Sequence, residues 1–188
     1  ILSEMMLELG LPQIPITEGS FVVPKDANNF EIDDIRSEEE NELMGNLITS
    51  LVRDKSNDPS SRLHCSIAGG RKTMSFYLGA ALQLFGRPQD KLYHVLVTPE
   101  FELNPSFFYK PKKNRIIQGR GIDGKPKQLN TKNANIELAE LPFIRLSGKI
   151  SFQGKDFREL VLEGQRTIDL AMVQPELVVN LLERYIRI

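Results

Sequence analysis

The chain has 188 residues, 40% of them hydrophobic, enough to bury the core of one domain with at most a small appendage. Its 24 basic and 25 acidic residues leave a formal charge of -1, which excludes a surface coated for long nucleic acid and confines any basic site to a local patch. A single cysteine, Cys65, excludes an internal disulfide, and with only two histidines beside it the composition argues against a zinc site.

No apolar run approaches the length needed to cross a bilayer, and ILSEMMLELG lacks the basic start of a signal peptide. The expectation is a cytoplasmic protein with no membrane partner and no cofactor. In chain order, Leu2, Met5, Met6 and Leu9 fall at helical spacing with Gly10 as C-cap. A proline-bearing connection follows. Phe21 to Val23 and Phe30 to Ile35 flank a loop-like PKDANN and suggest a hairpin. Ser37 and Glu40 have capping-box spacing, and Leu43, Met44, Leu47, Ile48, Leu51 and Val52 form the apolar face of a helix ending near Lys55. Leu63 to Ala68 reads as a buried strand.

A glycine turn follows, and then Met74, Tyr77, Leu78, Ala81, Leu82 and Phe85 trace a helical stripe stopped by Gly86 and Pro88. Leu92 to Thr98 is nearly continuous in apolar residues, as a strand covered on both faces would be. Helix, strand, glycine turn, helix and strand predict an α/β unit with parallel strands and a right-handed crossover. From Lys110 to Lys132 eight basic residues face one acidic residue, Asp123, which with Gly124 marks the turn of a basic hairpin or flap. Ile136 to Leu146 reads as extended or mixed, Phe157 to Leu170 as an amphipathic helix and Leu177 to Ile188 as a final strand. Residues 1–110 are expected to form the α/β core, and 111–188 the flap and C-terminal elements packed on it.

The chemistry centres on SIAGGRKTM, Ser66 to Met74. A strand enters this stretch and a helix leaves it. Between them Gly69 and Gly70 let the backbone approach a ligand, helix-initial amides are unpaired, and Arg71 and Lys72 add full charges, an arrangement suited to phosphate. The alternative is a tight turn whose cations point into water. The turn is neither a P-loop, because Arg71 stands directly before Lys72, nor a GxGxxG. His64 reads as a core or edge histidine. Arg87 and His94, with six residues between them, match the Arg-to-His spacing of HEPN ribonucleases, but they span a helix stop and a strand, which points to coincidence. Phe101, Phe107, Phe108 and Tyr109 could stack on a base or form a small core, with the core reading favoured. Asp33, Asp34 and Arg36 could cap the helix at Ser37 or reach a ribose, with capping favoured.

HCSIAGGRKTMSFYLGAALQLFGRPQDKLYHVLVTPEFE closely resembles the glycine-turn region of a CRISPR-associated family with a CARF domain, found with type III systems and classed among ring nucleases. DDIRS, FFY and LPFIRL look like further landmarks of that family in the same order. The resemblance implies a Rossmann-like CARF fold, with a mostly parallel sheet flanked by helices, whose first strand and polar loop precede Ile1. It also implies a homodimer that binds cyclic oligoadenylate, most simply cyclic tetra-adenylate, and cleaves it to end signalling. On that reading Lys72 and Arg71 are catalytic, and Ser66, Gly69, Gly70, Thr73 and Arg36 bind ligand. Two alternatives stay open: a sensor that binds without cutting, and a nucleotide enzyme of unrelated chemistry.

Overall fold

The computed structural model describes residues 1–121 and 123–185, with side chains as far as Met172. The fold is mixed α/β, with helices and two small sheets. Contacts divide the chain into two compact units. One comprises Ile1–Val23, Ser66–Ala68 and Tyr93–Leu141; the other comprises Pro24–Cys65, Gly69–Leu92 and the chain from Pro142. The first unit takes residues from both sides of position 110.

The helices α1 (Leu2–Leu9), α2 (Glu38–Ser56) and α3 (Lys72–Phe85) form where the apolar spacing and caps predict them. Gly10 closes α1 in the left-handed conformation at φ 68°. At the start of α2 the Ser37 hydroxyl accepts the Glu40 N–H while the Glu40 carboxylate accepts the N–H of Arg36 and Ser37. That end of α2 therefore carries a complete capping box, with Glu38, Glu39 and Glu40 in the first turn. The helix packs on α3 at Gly45, where an added Cβ would lie 2.5 Å from the Tyr77 ring. Beside this contact the Asn41 amide donates to the Tyr77 hydroxyl at 2.8 Å. Phe157 opens α5 (Phe157–Tyr185) and sets its ring edge-on to Tyr77, 4.9 Å between centroids, while its N–H donates to Asn46.

A second knot in the same unit surrounds Asp90, whose side chain is fully buried. Its carboxylate accepts from the Leu63 N–H, the Arg87 N–H and the Arg87 guanidinium, and Arg145 donates to the carbonyls of Arg87 and Asp90. Arg87 is thus a structural anchor, in line with its spacing to His94 being a coincidence. LPFIRL supplies Arg145, which also stacks on Phe143.

Strands β1 (His64–Ser66), β2 (Lys91–Val97) and β5 (Ile136–Leu141) form a sheet in the order β1-β2-β5. The Lys91 N–H donates to Leu63 and the Ile67 N–H to Tyr93, early residue to early and late to late, as in a parallel pair. The expected buried strand at Leu63 to Ala68 is corrected: β1 has three residues, and exposed positions alternate with half-buried ones. It is short because the Asp90 carboxylate takes the Leu63 N–H before it and the Ser66 hydroxyl takes the Ala68 N–H after it. Cover on both faces of β2 also fails, since Leu92 is buried but Leu96 is 45% exposed.

In the first unit, α4 (Pro99–Glu102) precedes the predicted hairpin, β3 (Ile116–Arg120) and β4 (Pro126–Asn130), which pair antiparallel with Ile117 opposite Leu129. Gly124 turns the chain at φ 77°. Phe101 and Phe107 pack with Ile117, Leu129 and Ala134 in one buried cluster, so these aromatics form a core, while Phe108 is exposed. The expected hairpin at residues 21–35 is reduced to one bridge between Lys25 and Glu31.

The final strand expected from Leu177 is also corrected. Helix α5 continues to Tyr185, and 186–188 lie outside the described residues. Leu177 and Leu181, like Val178 and Leu182, stand four apart, so the same run satisfies a helical repeat, and extending an existing helix needs no new nucleus. Among the described residues no helix is long and apolar enough to cross a membrane.

Burial alone would push the Asp90 carboxyl up, but its bonds to Arg87 and to the N–H groups of Leu63 and Arg87 outweigh that and hold it below the usual range. Because the folded state binds this proton less readily than the unfolded chain, its stabilisation is present above about pH 4 and lost as pH falls further. Asp90→Ala leaves Arg87 and the Leu63 N–H without their buried acceptor and is expected to cost about 3 kcal/mol in urea unfolding at pH 7. The difference from wild type should shrink when the melts are repeated near pH 3.

Candidate anion site

The glycine turn places its residues as helix geometry demands. Gly69 and Gly70 have φ of 100° and 72°, conformations that a side chain resists, and Arg71 follows in extended backbone as the N-cap of α3. Among the described residues no side chain caps this end. The Met74 N–H closes the first turn on the Arg71 carbonyl, and among the described residues no acceptor meets the N–H of Lys72 or Thr73. The two neighbouring helix starts therefore differ: α2 carries a capping box and three glutamates in its first turn, whereas α3 has no acidic residue there and leaves the positive end of its dipole uncompensated beside the Lys72 and Thr73 N–H groups.

Both ends line one shallow cavity of about 580 Å³, with Arg36, Ser37 and Asn41 from the α2 side and Gly70 through Thr73 from α3. It exists because close packing at Gly45 aligns the two helices. The Asn41 amide oxygen is buried without a hydrogen-bond partner among the described residues.

Arg71 has a partner that the sequence reading did not assign. Its Nε donates to Asp34 Oδ1 at 2.7 Å and its Nη2 to Oδ2 at 2.5 Å, a two-pronged fork. Arg36 Nε approaches the same carboxylate at 3.5 Å, and the Ile35 N–H donates to it at 2.8 Å. The Arg71 fork, then the Ile35 amide, holds the Asp34 carboxyl well below the usual carboxylate range, and Asp34 in turn pushes the Arg71 guanidinium up. The capping role favoured for Asp34 is thus corrected, because Ser37 and Glu40 already fill it. Sequence offered one clue: once the capping box is satisfied, Asp34 is left over.

Of the predicted residues, Gly70, Arg71, Lys72, Thr73 and Arg36 come together at the cavity, with Gly69 beginning the turn. Lys72 is exposed, and among the described residues no acidic group engages its ammonium. Ser66 belongs to the other compact unit, where its hydroxyl accepts the Ala68 N–H and ends β1. His64 is exposed on β1, an edge rather than a core position. Cys65 is half-buried, and burial pushes its thiol up, away from the reactive thiolate. Among the described residues no cluster of His, Cys, Asp or Glu is arranged to hold a metal ion.

A family model described as CRISPR-associated protein NE0113 matches residues 1–169. The chain belongs to that family. Comparison with curated proteins and comparison with solved structures gave no match. Membership in the NE0113 family ties the chain to CRISPR biology.

At Gly70 an added Cβ would sit 3.1 Å from the Met74 sulfur in a left-handed backbone, so Gly70→Ala is expected to cost about 1 to 2 kcal/mol in thermal or urea unfolding. Gly124→Ala has the same sign of φ but nothing within 4 Å of the added carbon, and should cost less.

Proposed function

We propose that the chain is a CARF-domain ring nuclease of a type III CRISPR system, with a Rossmann-like fold. It binds cyclic oligoadenylate, most simply cyclic tetra-adenylate, across a homodimer and cleaves it. The observation that carries this reading is the uncapped start of α3, with two left-handed glycines before it and Arg36, Arg71 and Lys72 at one cavity. Free amides, the helix dipole and three cations suit a phosphodiester. A cyclic tetra-adenylate has two-fold symmetry, so a two-fold dimer offers each half of the ring the same open helix end.

Cleavage uses the ligand's own nucleophile. A ribose 2′-hydroxyl gives its proton to water as its oxygen bonds to the adjacent phosphorus, the bond to the 5′-oxygen breaks, and that oxygen takes a proton from water, so a 2′,3′-cyclic phosphate and a 5′-hydroxyl result. Lys72, which no acidic group among the described residues engages, stabilises the charge that develops on the phosphoryl oxygens, and the Lys72 and Thr73 amides hold the ground-state phosphate. The reading needs no metal and no cofactor.

One observation favours a second reading, a sensor that binds the ring without cutting it. Of the two expected catalytic cations, Arg71 is already engaged by Asp34, which suits holding a phosphate better than following a changing charge.

The test incubates excess protein with labelled cyclic tetra-adenylate in EDTA and resolves the products. Linear di-adenylate with a cyclic phosphate end is expected; unchanged, tightly bound ring would leave the sensor, and no binding at all would remove both. Lys72→Ala is expected to lower single-turnover cleavage by about a hundredfold while weakening binding less. Equal losses would make Lys72 a binding residue only.

A further inference from the structure

Asp34 joins both arginines of the cavity but does not line it. Its carboxylate takes the Nε and Nη2 edge of Arg71, which leaves the Nη1 hydrogens and one Nη2 hydrogen for another acceptor. The Arg71 side chain nevertheless stays 52% exposed at the cavity wall, whereas Asp34 is 35% exposed and is fixed from behind by the Ile35 amide. A long, flexible side chain is thereby held at the open end of α3 before any ligand arrives.

We propose that Asp34 is the positioning residue for phosphate recognition at this site: it orders Arg71 so that its free guanidinium edge meets a ligand phosphodiester beside the open amides of α3. The inference rests on the reading of that site as a phosphate site. It predicts an effect whose sign opposes simple electrostatics. Removing a carboxylate makes the site more positive and should by charge alone tighten a polyanion. If Asp34 acts by ordering Arg71, removing it loosens binding instead, because the ordering cost moves to the binding step.

Binding of labelled cyclic tetra-adenylate to the full chain is measured by anisotropy for wild type, Asp34→Ala, Asp34→Asn, Arg71→Ala and the Asp34→Ala/Arg71→Ala pair, with unfolding midpoints recorded for each. Asp34→Ala is expected to weaken binding about tenfold. Asp34→Asn can keep the Ile35 bond and the local fold, and is expected to weaken binding in the same direction but by less. In the Arg71→Ala background the Asp34→Ala change should lose its effect, a coupling that a merely structural Asp34 would not produce. Equal or tighter binding by folded Asp34→Ala or Asp34→Asn, or an undiminished effect without Arg71, overturns the proposal and leaves the phosphate site standing. Wild-type protein that fails to bind the ring overturns the site reading itself, and this inference with it.

Discussion

The contact on which the site depends is the close approach of α2 and α3 at Gly45 and Tyr77. Gly45 has no room for a side chain against the Tyr77 ring, and the Asn41 amide fixes the Tyr77 hydroxyl. Two helices that pack this tightly near their starts present their N-termini side by side. Their different chemistry then decides what each can do: α2 meets its dipole with a capping box and Glu38, Glu39 and Glu40, while α3 has no acidic residue in its first turn and begins with Arg71 and Lys72. The site follows from that asymmetry as much as from any single residue.

The pairing of Arg71 with Asp34 divides the cations of the glycine turn by role. Adjacent in sequence, Arg71 and Lys72 look interchangeable as sources of positive charge. The helix start separates them: Arg71, in extended backbone, reaches back to the loop before α2, and Lys72, the first helical residue, does not. A guanidinium anchored along one edge suits recognition. An ammonium that no acidic group among the described residues engages is left to respond to nearby charge.

Local rules carried most of the fold. The Ser37 capping box, the Gly10 terminus, the stripe from Met74 to Phe85 and the Asp123-Gly124 turn each depend on a few adjacent residues, and sequence states them directly. What failed depended on distant partners. The length of β1 is set by Asp90, 27 positions from Leu63, and Asp34 meets Arg71 across 37 positions, information that no short window holds. The C-terminal run was ambiguous for another reason, since a short apolar run such as Leu177 to Leu182 suits a strand or a helix equally by pattern alone.

The knot at Asp90 also constrains the order in which the protein can be made. Leu63, Arg87 and Asp90 are neighbours in synthesis, but Arg145, which clasps the carbonyls of Arg87 and Asp90, is translated only after residues 93–141 have been added. Closing so long an intervening loop costs only slightly more entropy than closing a short one, but it cannot begin before the later segment exists. On the ribosome, therefore, the 93–141 stretch has time to gather its own aromatic core around Phe101 while the unit that carries the open α3 start still awaits Arg145 and then Phe157.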